Sequence, residues 1–237
     1  MRTIVNPKKL AVLVTATAVL LAAAITPASG APAQKKKSKA LVGLFEIEAG
    51  TDEAAPTGSY FRMVQSDGTV DAGPFVPNGD STATDKTYTL LSPGTDGGLL
   101  TGTYQEQPEP PFDAAGNGLA DAIVAPPKFF GVSFAMATNE TDPQTGATTK
   151  KPSIKPTGKK LSGNLSAVGV AYGDQHFNQG APKPKGAEGE TTGPSGTYNA
   201  KTGAYTLEWS STIVGGPFDG FTGIWHLEGT FTKQSRK

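Results

Sequence analysis

Cysteine is absent from all 237 residues. That excludes disulfides, thiolate metal sites, a cysteine nucleophile and lipid attachment to a cysteine behind a leader. Packing must then supply stability alone, which a chain of this length can do and a disulfide-dependent miniature scaffold cannot. Histidine is nearly absent, with only His176 and His226, so imidazole-based triads and metal sites have few donors to draw on. The chain carries no Gly-x-Ser-x-Gly elbow, no His-Glu-x-x-His helix and no glycine-rich span closed by Gly-Lys-Ser/Thr, the patterns that mark familiar hydrolytic and phosphate-binding sites. An excess of one charge is missing too. With 21 basic and 21 acidic side chains, the balance argues against a broad basic face for nucleic acid, and nucleic acid is not among the expected partners.

What is present begins with an export pattern. Arg2, Lys8 and Lys9 precede an apolar run from Leu10 to Ile25, broken only by Thr15 and Thr17 and followed by Pro27 and Ala31-Pro32-Ala33. Basic, apolar and small residues in that order predict a cleavable secretory signal peptide over residues 1–33 and a secreted, extracellular or cell-envelope location. Ala28-Ser29-Gly30 offers a second cut. The run is shorter than the roughly 20 residues that span a bilayer, and no later stretch is apolar enough to do so, so no membrane span is expected after cleavage. Residues 34–39, QKKKSK, predict a flexible lysine-rich arm, because like charges repel and nothing apolar interrupts them. Contact of this arm with a cell wall or anionic lipid is a further expectation. From Ala40 onward 14 basic side chains face 21 acidic ones, so residues 40–237, the expected β domain, are mildly acidic.

Thirty glycines and 19 prolines punctuate the chain too often for long helices and suit short strands joined by turns. At the C-terminal end Tyr205, Leu207, Trp209 and Ile213 alternate with Thr206, Glu208, Ser210 and Thr212, the two-residue period of a strand with one buried face. Trp225, Leu227 and Phe231 repeat the rhythm after a Gly-Gly-Pro-Phe-Asp-Gly turn, and Tyr198 precedes an Asn-Ala-Lys-Thr-Gly turn, which together predict a three-stranded meander. Further strands are predicted over 41–49, 60–65, 87–91, 99–104, 129–138 and 161–172. In the 129–138 strand Phe130, Val132, Phe134 and Met136 share one face, which predicts a central position. Residues 106–112, 150–160 and 179–194 read as long surface loops. The expected fold is all-β: a single antiparallel β-sandwich or barrel-like domain. A two-domain split near 150–160 is the alternative.

Three constellations carry candidate chemistry. Asp113-Ala-Ala-Gly116-Asn117-Gly-Leu-Ala-Asp121 places oxygen donors at positions one, five and nine, which resembles the calcium loops of EF-hand and thrombospondin type-3 proteins. The resemblance implies calcium ligation by Asp113, Asn117 and Asp121. Ala115 and Val124 stand where further donors belong, and a plain Asn-Gly turn is the competing reading. In the second, any register that puts Trp209 and Trp225 on one face puts Glu208, His226 and Glu228 together on the other. Paired carboxylates on a concave sheet are how many jelly-roll glycoside hydrolases present an acid and a nucleophile, but here the aromatic rings are expected on the opposite face. That favours an ordinary cross-strand contact. The third is Asp174-Gln175-His176, expected in a loop.

The leading functional expectation is a non-enzymatic protein that binds a partner or surface, protein or glycan, through loops on a rigid scaffold. A carbohydrate-binding module, with loop aromatics stacking on sugar rings, is the first alternative. A hydrolase using Glu208, His226 and Glu228 is the second.

Overall fold

The computed structural model describes residues 38–53, 56–186 and 189–234; the expected signal peptide, residues 1–33, and residues 34–37 of the expected lysine-rich arm lie outside the described residues. In chain order the strands are β1 (Gly43–Ile47), β2 (Tyr60–Thr69), β3 (Gly73–Phe75), β4 (Thr89–Leu90) and β5 (Gly98–Thr101). Then come β6 (Lys128–Phe129), β7 (Val132–Ser133), β8 (Ala135–Thr138), β9 (Ser153–Thr157) and β10 (Lys160–Asn164). The last five are β11 (Val168–Tyr172), β12 (Gln175–Asn178), β13 (Thr192–Tyr198), β14 (Ala204–Thr212) and β15 (Thr222–Lys233). A single 3-10 turn at Gly216–Phe218 is the one helical element among the described residues, as the density of glycine and proline leads one to expect. The protein is all-β.

Ten strands form one large antiparallel sheet whose main path runs β3-β2-β15-β14-β13-β10-β9, with β1, β4 and β5 branching from it. The path ends are not paired to each other, so the sheet is not a closed barrel. β15 organises it. One flank of β15 pairs with β14 along the whole of that strand, while the other pairs first with β2 and then with β1. Gly229 is where this becomes tight, because it faces Tyr205 on one side and Ile47 on the other. Its φ of +152° and the 2.0 Å that would separate an added Cβ from the Glu46 carbonyl leave room for no other residue.

A three-stranded sheet, β12-β11-β8, and the β6–β7 hairpin complete the fold. Their inward side chains Phe129, Met136, Val168, Val170 and Phe177 belong to the same buried cluster as Phe61, Leu207, Trp209, Trp225 and Leu227 of the large sheet. The alternation read at the C-terminal end is present in the structure: Trp209 faces Trp225 across β14 and β15, and the two indoles stack at 5.8 Å with 8° between their planes.

Three sequence expectations need correction. Residues 129–138 are not one strand, because Phe130 (φ +50°) and Gly131 (φ +81°) make a two-residue reversal of the primed kind that closes tight hairpins. Phe130 therefore points outward, 53% exposed. Residues 161–172 likewise divide into β10 and β11, which belong to different sheets; alternation reports a face but not which sheet owns it. Residues 150–160 are largely the β9–β10 hairpin rather than a loop.

Both buried indole N–H groups are met by one residue. Trp209 Nε1 donates to the Gln179 carbonyl at 2.9 Å and Trp225 Nε1 to the Gln179 side-chain Oε1 at 3.3 Å. Gln179→Leu removes only the second acceptor and strands a buried donor, so it is expected to lower stability by about 1–3 kcal/mol. Urea unfolding followed by tryptophan emission checks this, and an unchanged midpoint contradicts it.

Candidate functional site

The β2, β14 and β15 ends of the large sheet and the β11 and β12 ends of the small one do not close fully on each other. Between them lies a cavity of about 50 Å³ lined by Phe61, Met63, Ile213 and Trp225 on one side and by Phe134, Val170, Tyr172 and Phe177 on the other. Phe129, Gln179 and Phe218 complete the lining. A single water needs roughly 10–15 Å³ of such space, so the cavity admits a group of several heavy atoms.

Its chemistry is set by where the few polar atoms go. The Tyr172 hydroxyl donates to the Phe129 carbonyl at 2.9 Å, and burial raises its pKa. The Gln179 carboxamide is spent on Trp225 and on the Asn178 carbonyl. What remains facing the space is carbon, most of it aromatic. Such a lining offers nothing to a hydroxyl or a charge and suits an apolar group.

Phe218 of the lining and its stacking neighbour Phe130 are held by two turns. Phe218 arrives on the β14–β15 loop, fastened by Gly215 N–H to Asp219 Oδ1 at 2.5 Å and by the Gln144 side chain to the Val214 carbonyl at 2.6 Å. Phe130 arrives on the β6–β7 turn, fastened by Gly131 N–H to Asp80 Oδ2 at 2.6 Å. The two rings lie nearly parallel, 6.2 Å apart and 16° off, and Phe130 meets Phe129 edge-on at 4.7 Å. A bulky residue at positive φ costs of order 1–3 kcal/mol, and such residues concentrate at binding sites. Val214, on the same loop as Phe218, is 51% exposed. Of the loop aromatics that the sequence offers for stacking, Phe61, Phe129, Phe177 and Phe218 line this cavity; Phe130 was instead expected on a buried strand face, and the signal against that was the Phe-Phe-Gly run itself, a glycine punctuating an otherwise strand-like stretch.

Glu208, His226 and Glu228 do come together. Glu208 pairs with His226 in register, and His226 Nδ1 lies 2.6 Å from Glu208 Oε1, with Nε2 3.6 Å from Glu228 Oε2. The hydrogen bond from His226 lowers the Glu208 pKa. The two glutamates thus flank one imidazole on an exposed sheet face, and neither lines the cavity. The expectation that aromatic rings avoid this face is corrected. Tyr60 pairs with His226 from β2 and stacks on it at 4.6 Å and 4°, and Tyr88 meets Tyr60 edge-on. Alternation on β14 and β15 could not reveal rings contributed by β2 and the segment before β4. Burial, reinforced by the nearby Glu208 carboxylate, pushes the Tyr60 hydroxyl up to about 12. Beside them the Arg62 guanidinium lies over Phe75 at 3.4 Å and Tyr88 at 4.2 Å.

The Asp113 carboxylate is taken up by its own turn, accepting from the Ala115 and Asn117 amides and from the Asn117 side chain. Those bonds lower its pKa. Asn117 Oδ1 accepts from Ser133 N–H, and the Asp121 carboxylate lies 3.4 Å from the Thr95 hydroxyl, 26 residues away in sequence. Asp113 and Asn117 are brought together, then, while Asp121 bonds to a different turn. Among the described residues no three His, Cys, Asp or Glu side chains are arranged to hold a metal ion. His176, expected in a loop, lies in β12, paired with Ala171 and packed against Phe112 at 4.9 Å; burial lowers its pKa. The reversal before it is made by Gly173 and Asp174, both at φ +57°.

No family model, no curated protein and no solved structure matches this chain.

Because the Glu208 pKa is depressed in the folded state, its contribution to stability is present above the ordinary glutamate value of 4.5 and is lost as pH falls through the folded value. Glu208→Gln is expected to cost less than about 1 kcal/mol at neutral pH, the side chain being half exposed. It also makes the acid loss of stability shallower. Urea midpoints measured from neutral pH down to about pH 3 read both effects, and parallel profiles for the two proteins contradict them.

Proposed function

We propose that this chain is a secreted or envelope-associated, non-enzymatic binding protein, whose two sheets face each other as a β-sandwich and whose loops at one end receive an apolar group of a partner. The observation that carries this reading is the carbon-only cavity, with the exposed Phe130 packed on two of its lining rings, Phe129 and Phe218. A solvent-exposed phenylalanine on a strained turn, stacked at the rim of an aromatic space, is a costly arrangement for a surface with no occupant. The glutamate pair adds no support for hydrolysis: His226 stands between the two carboxylates, and the cavity contains neither.

The carbohydrate-binding reading draws on a different feature, the Tyr60–His226 stack flanked by Glu208 and Glu228, since sugars are held by ring faces together with carboxylates. The two readings separate experimentally. Titration with indole is expected to shift the Met63, Val170 and Ile213 methyl resonances, and Phe130→Ala combined with Phe218→Ala to weaken that response about tenfold, a loss of about 1.4 kcal/mol. Methyls that stay still up to the solubility limit of indole overturn the apolar reading. Retention on polysaccharide that survives the double phenylalanine change but is lost in Tyr60→Ala establishes the carbohydrate reading in its place.

A further inference from the structure

Across residues 40–237 acids outnumber bases, yet 150–160, Lys-Lys-Pro-Ser-Ile-Lys-Pro-Thr-Gly-Lys-Lys, holds five lysines and no acid. The fold gives that segment a definite shape. β9 and β10 pair with Lys160 opposite Thr157 and Ser162 opposite Lys155. Ile154 and Leu161 point into the core, and so Lys155, Thr157, Lys160 and Ser162 share the solvent face. The next strand continues that face with hydroxyls, since Lys160 pairs with Thr197 and Ser162 with Ser195. Lys159 occupies the turn, and its carbonyl accepts from Tyr198 N–H at 2.8 Å.

A second basic stretch arrives at the same place. Leu41 bridges to Ile154, its N–H donating to the Ile154 carbonyl at 2.9 Å, which brings Lys39 alongside β9. More than 100 residues separate the two stretches in sequence. Lys39, Lys150, Lys151, Lys155, Lys159 and Lys160 are all exposed. Among the described residues none is within 4 Å of a carboxylate; the ion pairs present are those of His226. Edge strands use lysine to discourage edge-to-edge pairing, but that purpose is served by one or two lysines on the strand. It does not account for Lys39, Lys150 and Lys151, which lie off it, or for the segregation of acids away from the whole hairpin.

We propose that the β9–β10 hairpin, together with Lys39, Lys150 and Lys151, is a docking surface for a linear, phosphate-bearing polyanion. Charge complementarity names the ligand. Lysine ammonium groups act as point charges toward phosphate oxygens, and the Ser162, Ser195 and Thr197 hydroxyls on the same face add donors. Insertion into a lipid surface calls for exposed apolar or aromatic anchors, and of the large exposed apolar side chains only Val42 adjoins this edge. Base recognition on single strands calls for exposed rings to stack on, and the hairpin has none. Each lysine held against a phosphate releases a counterion, so affinity falls steeply with salt.

The test uses the full chain and inorganic polyphosphate, with fluorescence anisotropy read across a salt series. Saturable binding is expected. Changing Lys155, Lys159 and Lys160 together to Gln is expected to weaken it at least about tenfold and to reduce the slope of log affinity against log salt by about 2. Changing Lys86, Lys128 and Lys185 together to Gln is expected to alter neither quantity. A matched set of Arg changes at 155, 159 and 160 keeps the charge and is expected to keep binding, which guards against a variant that fails to fold. Equal losses in the two Gln sets mean diffuse attraction and overturn the proposal. Binding to phosphatidylglycerol vesicles without binding to polyphosphate overturns it as well.

Discussion

Two tryptophans can be stacked in the middle of this core only because a glutamine lies against both. Indole rings bury a large apolar surface but bring an N–H that must be bonded, and Gln179, itself 3% exposed, meets one with its carbonyl and the other with its side chain. Gln179 follows directly on β12, so the small sheet is tied to the β14–β15 pair at Trp209 and Trp225. The adjoining Gly180 carbonyl accepts from Ser211 on β14 at 3.0 Å, a second tie across the same gap. Behind it lies a buried polar cluster in which the Asn178 side chain reaches Asp142 at 3.2 Å, and Lys183 donates its ammonium to the Asn178 carbonyl. Burial lowers that lysine to about 8. Fully satisfied polar groups of this kind specify one arrangement of a core more sharply than apolar packing does.

How much of this was legible from the residues alone depends on the distance over which each contact acts. The β14–β15 pair was readable because the strands are consecutive in sequence and their alternation is regular, so the outward grouping of Glu208, His226 and Glu228 followed from parity. What stacks on them was not readable, since Tyr60 comes from a strand more than 150 residues earlier and nothing in either segment announces the pairing. Phe130 was misplaced because hydrophobicity outvoted a glycine: Gly131 permits the reversal, and the ring then turns outward at a backbone angle that phenylalanine seldom adopts. The lysines of residues 150–160 suggested a solvated loop, although Ile154 and Leu161 among them already carried the in-and-out rhythm of a hairpin. Residues 113–121 read as one loop with three oxygen donors, but the Asp113 carboxylate is consumed by the amides of its own turn and Asp121 lies against Thr95.

The described surface separates into three regions of unlike chemistry. Carbon dominates around the stacked rings of Phe130 and Phe218. Aromatic rings and carboxylates alternate across the Tyr60, His226 and Glu208 row of the large sheet. Ammonium groups collect at its β9 edge. Along one row of that sheet the order runs Lys155, Ser162, Ser195, Glu208, His226, Tyr60, each on the next strand, so charge changes sign over a few strand spacings of about 4.8 Å. A nearly neutral total therefore conceals a strongly polarised face, and the sum of charges is a poor guide to what approaches it.

The position of β15 in the sheet has a consequence for how the chain reaches its native state. The strand that borders β14, β2 and β1 is the last of the fifteen to be synthesised, and its partners β1 and β2 are among the first. β1 can pair early with β5, and β2 with β3 and β4, but the flank of each that meets β15 must wait for the late strand, and the length of chain between them makes that closure slow. The large sheet is therefore completed only when its last strand is in place, and until then its two earliest strands each keep one flank open.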